Sequence, residues 1–141
     1  MFVPILIIAF AVVLTVSLHL AVLRFLYRTV LPKLKECQRI VVGVMVLAAI
    51  IGHLMEIGVF AVWGAFLANR AAIPHEAMDP IFWSATAYTS LGSDYPRVPE
   101  IRLLTAVEAL TGLILITWTA SFLFLLMQQF WQEKETEKKL G

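Results

Sequence analysis

The chain has 141 residues, of which 60% are hydrophobic and 15% charged, and its formal net charge is +1. A soluble domain averages nearer half apolar and about a quarter charged, so this much apolar surface exceeds what one small water-exposed fold can bury. The small net charge excludes the basic surface typical of nucleic-acid binding, and a single cysteine, Cys37, excludes an intrachain disulfide. The composition therefore favours a lipid bilayer as the solvent.

Three long stretches of the chain carry few or no charged side chains. Residues 1–23 and 109–132 contain no Asp, Glu, Lys or Arg, and residues 40–69 contain only Glu56. A spanning helix needs about 20 mostly apolar residues. No basic residue precedes the first stretch and no small-residue cleavage site follows it, so we expect a retained helix rather than a signal peptide. The predicted transmembrane helices lie near 2–27, 40–68 and 100–130.

Lysine and arginine predict the orientation of these helices, because they collect in cytoplasmic loops. Five of them lie in the first connection: Arg24, Arg28, Lys33, Lys35 and Arg39. The second connection has two, offset by four acidic residues. We therefore expect a multi-pass protein of the cell membrane, with the N-terminus outside and a short helical tail, residues 132–141, in the cytoplasm.

A fourth charge-free stretch, residues 80–93, has 14 residues and is too short to span a bilayer. Asp79-Pro80 is a strong helix start, because Asp caps free amide groups and Pro fits the first helical position. We predict a short helix over 79–89 with a polar, turn-forming exit. A helix that ends inside the membrane points its negative dipole end towards a cation, and carbonyl groups beyond it can replace a hydration shell. One chain cannot surround an ion with such a loop, so symmetric copies are required.

The order of an outer helix, a short pore helix, a filter loop and an inner helix resembles the pore of tetrameric potassium channels. The chain more closely resembles the small bacterial two-helix ion-channel family, with one extra N-terminal helix. The resemblance covers roughly residues 40–130. It rests on Phe82–Gly92 for the pore helix and filter entry, on Val107–Gly112 and Trp118 for the inner helix, and on His53–Ile57 for the outer helix.

This resemblance implies an all-α membrane protein with three transmembrane helices and a re-entrant pore helix and filter loop. It also implies a homotetramer that conducts cations passively. The chain then divides into an N-terminal helix and basic connection (1–39), a pore domain (40–131) and a tail (132–141). Within the pore domain the resemblance implies an outer helix at 40–68, a pore helix at 79–89, a filter at 89–95 and an inner helix at 100–130.

The ion-coordinating filter implied by the resemblance consists of Thr89, Ser90, Leu91, Gly92, Ser93 and Asp94. The family signature is Thr-Thr-Val/Leu-Gly-Tyr-Gly-Asp, and this chain has Ser93-Asp94-Tyr95 in place of Tyr-Gly-Asp. A carbonyl-lined filter needs backbone conformations that glycine adopts easily, so we expect ion sites only near Ser90 and Leu91. Asp94, repeated by symmetry, would form a ring of carboxylates that attracts monovalent or divalent cations. A cation channel for K⁺, Na⁺ or Ca²⁺, without another cofactor, is favoured over a strictly potassium-selective one.

His53 and Glu56 lie one turn apart on one face of the second helix, near its middle, where charge is costly. One interpretation is a gate, a proton sensor or an ion relay. The favoured interpretation is a hydrogen-bonded pair that braces the pore helix through Thr86, Tyr88 or Trp83.

Two residues of the third helix complete the set assigned to pore support or gating. Glu108 either neutralises ions near the filter or pairs with His53, and structural pairing is favoured. Gly112 is either an inner-helix hinge or a site of close helix packing.

Two other functions stay open. A small proton-coupled transporter would use Glu56 or Glu108 as its carrier group. A haem protein would use His19 and His53, but we expect His19 near the inner end of its helix and therefore at a different depth, and assign it no role. A metal site from one His-x-x-Glu motif is not expected. A soluble enzyme is excluded, because the sequence has no nucleophile–base pair and no phosphate-binding glycine loop.

Overall fold

The computed structural model describes residues 2–30, 38–74, 78–92 and 98–140, and these ranges are helical apart from short connections. The four α-helices of the described ranges agree with the predicted ones to within a few residues, except that the last continues through most of the predicted tail. They are α1 (Phe2–Phe25), α2 (Gln38–Arg70), α3 (Pro80–Tyr88) and α4 (Pro99–Leu140), and a π-helical turn (Leu26–Val30) extends α1.

Three segments are long and apolar enough to cross a membrane: Val3–Thr29, Ile40–Arg70 and Pro99–Gln129. They contain 27, 31 and 31 residues, which exceeds the roughly 20 that a bilayer requires. Many of their outward side chains are apolar, and Leu6, Val62 and Leu110 expose 68%, 67% and 61% of their surfaces. A water-soluble monomer does not expose such a continuous apolar surface. These features indicate a membrane protein, as the composition predicts.

The long helices pack with alternating directions. The Phe10 and Trp63 rings lie 5.7 Å apart, and Val22 lies beside Gly52, so α1 and α2 run antiparallel. One end of the bundle holds an apolar cluster of Leu26, Val41, Met45 and Leu126. At the opposite end, a surface cleft is lined by Val3, Pro4, Leu67, Arg70, Ala71 and Glu100. The end of α2 and the start of α4 therefore lie at the same end of the bundle.

Helix α3 begins with the predicted cap. The Asp79 carboxylate accepts hydrogen bonds from the amides of Ile81, at 3.0 Å, and Phe82, at 3.2 Å, and Pro80 occupies the first turn. These contacts satisfy amides that lack a partner inside the helix. The start of the predicted short helix is confirmed.

Helix α3 packs between α2 and α4 and extends to their middle. Trp83 occupies the space that a side chain at Gly64 would fill, and its indole nitrogen donates to the Thr105 hydroxyl at 3.1 Å. Five residues further along, Tyr88 contacts Glu56, which lies near the centre of the Ile40–Arg70 span. The chain thus runs from one end of the bundle to mid-height along α3, and α4 starts again at that same end.

Candidate functional site

Four polar side chains from α1, α2 and α3 converge at mid-height of the bundle. His19, Glu56 and Tyr88 expose 2%, 0% and 1% of their surfaces, and the His53 side chain exposes 18%. Two of them, His53 and Glu56, stand one turn apart on α2 and so share a face. Apolar surroundings make unpaired polar groups costly, so the contacts among these four side chains determine whether the arrangement is stable.

The Glu56 carboxylate is the centre of this group. Its Oε1 lies 2.8 Å from Nδ1 of His19, and its Oε2 lies 3.0 Å from Nδ1 of His53. The Tyr88 hydroxyl also donates to Oε2 and lies 2.9 Å from Nδ1 of His53. Glu56 therefore links all three helices through charge-assisted contacts, which are the stronger class of hydrogen bond.

The close approach of Tyr88 depends on a glycine in α4. A Cβ added at Gly112 would overlap the Tyr88 carbonyl oxygen and ring. The structure thus shows the close packing considered for Gly112, and α4 continues as one helix through this position. Small residues allow such approach between membrane helices.

A second polar contact lies one turn earlier on α3. The Ser84 hydroxyl contacts the Glu108 carboxylate oxygen Oε1 and lies 2.8 Å from the Ile57 carbonyl oxygen. Glu108 is fully buried, and within the described residues its other oxygen has no partner. The alternative in which Glu108 pairs with His53 is wrong. Ser84 lies between α2 and α4, and the Glu108 carboxylate contacts its hydroxyl group instead of His53.

The residues after α3 close its C-terminus. The amides of Ser90 and Leu91 donate to the carbonyl oxygens of Ala87 and Thr86, both at 2.9 Å. Ser90 has φ 58° and Gly92 has φ 73°. This pattern is a Schellman cap, with serine in the left-handed position that glycine usually occupies.

Four of the predicted filter residues therefore form the cap and the chain just beyond it: Thr89, Ser90, Leu91 and Gly92. All four are exposed on the single chain, and Leu91 exposes 80% of its surface. Ser93 and Asp94, the last two predicted filter residues, lie outside the described residues.

The structure brings the predicted residues His53 and Glu56 together with Tyr88, one of the three partners considered for them. Of the other two, Thr86 donates its hydroxyl to the Trp83 carbonyl oxygen at 2.8 Å. The predicted pore-support residues thus form two groups, one around Glu56 and one around Glu108.

His19 belongs to the group around Glu56 although its position in the sequence predicted no role for it. Its ring centroid lies 5.6 Å from that of His53 and 5.7 Å from that of Trp118. The expectation that His19 and His53 lie at different depths was wrong, because the antiparallel register of α1 and α2, with Val22 beside Gly52, places His19 opposite the middle of α2. Antiparallel pairing of α1 with α2 was the one sequence signal available, since it brings residue 19 opposite residues in the fifties.

His19, His53 and Glu56 also form a group that could hold a metal ion, because one ligand atom from each residue lies within 4.8 Å of the other two. Imidazole nitrogen and carboxylate oxygen are common ligands of transition metals.

Comparison of the chain with protein-family models, curated proteins and solved structures gives no match.

Proposed function

We propose that the protein is a homotetrameric channel that conducts cations passively, with α3 as its pore helix. The observation that carries this proposal is the position of the segment after Tyr88. The Tyr88–Glu56 contact lies near the centre of α2, while the capped start of α3 follows the end of α2 at the end of the bundle. In a membrane, α3 would be re-entrant.

The exposure of residues 89–92 supports an assembly of several copies. Irregular backbone at membrane depth is tolerated only where protein covers it or where it lines water. On the single chain, Leu91 exposes 80% of its surface, and Thr89, Ser90 and Gly92 are exposed as well. Copies of the chain arranged about a common axis would place these segments against each other around a water-filled path.

The end of α3 favours a positively charged ion. The C-terminus of a helix carries partial negative charge from its last carbonyl groups. The Asp94 carboxylate, a few residues further along the sequence, would add four negative charges in a tetramer. The permeant ions of this proposal are K⁺, Na⁺ and Ca²⁺, and the departure from the potassium-channel signature argues against strict selectivity for K⁺.

The orientation follows from the charges at the two ends. The apolar cluster of Leu26, Val41 and Leu126 lies at the end where α2 begins, so the basic first connection and the far half of α4 share that end. Lysine and arginine favour the cytoplasmic side. The protein of this proposal lies in the cell membrane with its N-terminus and the entry to α3 outside.

Ion flux through liposomes containing the purified full chain tests the proposal. We expect K⁺, Na⁺ or Ca²⁺ to cross down its own gradient without a proton gradient. Protein-free liposomes should show no flux of these ions. Asp94→Asn should weaken divalent permeation or block relative to monovalent flux, because it removes the proposed ring of charge. Absence of flux for all three cations would contradict the channel.

A proton-coupled transporter is the second candidate, and one observation favours it. The carboxylate of Glu108 is fully buried with one oxygen unpartnered within the described residues, as a carrier group between proton-bound and substrate-bound states would be. A transporter predicts flux that requires a proton gradient and disappears in Glu108→Gln. A channel predicts flux that continues after the proton gradient is dissipated.

A further inference from the structure

We propose that His19, His53 and Glu56, here called the His/Glu cluster, form a binding site for a divalent transition-metal ion of the Zn²⁺ class. The site would join α1 to α2 at mid-height of the bundle, next to Tyr88. None of its ligands belongs to the predicted filter, residues 89–94, and the proposal does not depend on ion conduction.

The first argument is the convergence of the ligand atoms. His19 Nδ1 and His53 Nδ1 lie 2.8 and 3.0 Å from the two oxygens of Glu56, and one ligand atom from each of the three residues lies within 4.8 Å of the other two. Metal–ligand bonds of about 2.0–2.1 Å in a tetrahedral arrangement place neighbouring ligand atoms roughly 3.3 Å apart. The ligand atoms therefore lie close enough for side-chain rearrangement to bring them around one ion.

The second argument is that the polar contacts around His53 outnumber the hydrogen atoms available to form them. His53 Nδ1, Glu56 Oε2 and the Tyr88 hydroxyl contact each other in all three pairs. An ionised carboxylate only accepts, a phenol carries one hydrogen, and Nδ1 carries at most one. At most two hydrogens thus serve three contacts. A bound cation removes this shortage, because it attracts the lone pairs of the nitrogen and the oxygens at once.

The third argument is the type of the ligands. Two imidazoles and one carboxylate are the protein ligands of many zinc sites that leave a fourth position open. Imidazole also suits Cu, Fe and Ni, whereas Mg²⁺ and Ca²⁺ prefer oxygen ligands throughout. The Tyr88 hydroxyl contacts two of the cluster's ligands, at Nδ1 of His53 and Oε2 of Glu56. The cluster therefore selects against the hard cations that the proposed channel would pass.

His19 supplies the ligand that the His-x-x-Glu motif of α2 lacks for a metal site. Within α2 alone, His53 and Glu56 supply two ligands, which is too few for a closed site. His19 supplies a third from α1, because its Nδ1 lies 2.8 Å from Oε1 of Glu56 and the residue is buried. A bound ion would clamp α1 against α2 and, through Tyr88, against the end of α3.

Metal binding by the full chain, purified in detergent without a polyhistidine tag, tests the proposal. We expect one Zn²⁺ per chain after dialysis, and at least about tenfold weaker binding in His19→Ala, His53→Ala and Glu56→Gln. Two matched controls should bind as the wild type does. His75→Ala removes the remaining histidine of the chain, and Glu108→Gln neutralises the other buried carboxylate. Unchanged affinity in the cluster variants, or no Zn²⁺ in the wild type, would overturn the proposal.

X-ray absorption of the Zn²⁺-loaded wild type gives a result that does not depend on the folding of any variant. The expected first coordination shell contains two imidazole nitrogens and a carboxylate oxygen at about 2.0–2.2 Å. A shell with fewer than two imidazoles would place the metal elsewhere and refute the site. Zn²⁺ should also raise the melting temperature of the wild type and of Glu108→Gln but not of Glu56→Gln.

Discussion

Glu56 is a buried carboxylate with three side-chain partners from three helices. A charged group in the middle of a membrane helix is costly unless protein or water surrounds it. His19, His53 and Tyr88 supply that surrounding. Glu56 therefore has a structural role in any function of the protein, since loss of a partner leaves part of a buried carboxylate without its hydrogen bond.

Tyr88→Phe tests this role by removing a single hydroxyl group. We expect the free energy of unfolding to fall by about 1–2 kcal/mol, because Glu56 loses a donor in an apolar interior while the aromatic ring keeps its packing. Thermal unfolding of the detergent-solubilised protein measures the change.

Tyr27→Phe is the matched control for this substitution. The Tyr27 side chain is 54% exposed, and removal of its hydroxyl group should change the free energy of unfolding by less than about 0.5 kcal/mol. Equal effects of the two substitutions would show that the hydroxyl of Tyr88 contributes nothing to stability.

Helix α3 fits between α2 and α4 because each of those helices has a glycine where α3 touches it. Trp83 lies against Gly64 and Tyr88 lies against Gly112. Both large side chains are buried, at 2% and 1% exposure. Short helices gain most of their stability from such packing rather than from intrinsic propensity, so these two glycines determine whether a nine-residue helix holds its place.

Gly112→Ala should therefore destabilise the protein. The added methyl group would overlap the carbonyl oxygen of Tyr88, which is backbone and cannot rotate away. Overpacking of this kind costs about 1–3 kcal/mol, and denaturant unfolding in mixed micelles measures it. The same substitution should weaken the contact between Tyr88 and Glu56, because α3 has to move outward.

Gly58→Ala provides the control within a membrane helix. A Cβ at Gly58 has nothing within 4 Å, and alanine has the higher helix propensity by about 1 kcal/mol. We expect unchanged or slightly increased stability. A similar loss of stability in both variants would mean that glycine flexibility, rather than space for α3, is what the long helices require.

Local features of the sequence predicted the helices well, and long-range pairing was harder to predict. Charge-free stretches and Asp79-Pro80 gave the positions of the spans and of α3, since both depend on residues close in sequence. The contacts of His19 with Glu56 and of Ser84 with Glu108 depend on how far each helix is shifted along its neighbour. That shift follows from packing around Gly52, Gly64 and Gly112, which a hydropathy pattern does not reveal.

At the scale of the whole molecule, two kinds of exposed apolar surface differ in their environment. The outer faces of the long helices, with Leu6 at 68% and Val62 at 67% exposure, suit lipid. Leu91 is more exposed still, at 80%, but it stands in a turn whose backbone groups need partners that lipid cannot supply. The proposed tetramer predicts that lipid covers the first surface and other copies of the chain surround the second.

Cysteine cross-linking distinguishes these two surfaces. The natural cysteine, Cys37, is the only one, so Cys37→Ser gives a background without thiols. In that background, oxidation should link Leu91→Cys into covalent dimers at high yield, because the turns of neighbouring copies would meet near the axis. Leu6→Cys should stay monomeric on denaturing gels, since lipid separates this position from other chains. Cross-linking of Leu6→Cys alone would place the contact between copies on α1 and contradict a pore formed around α3.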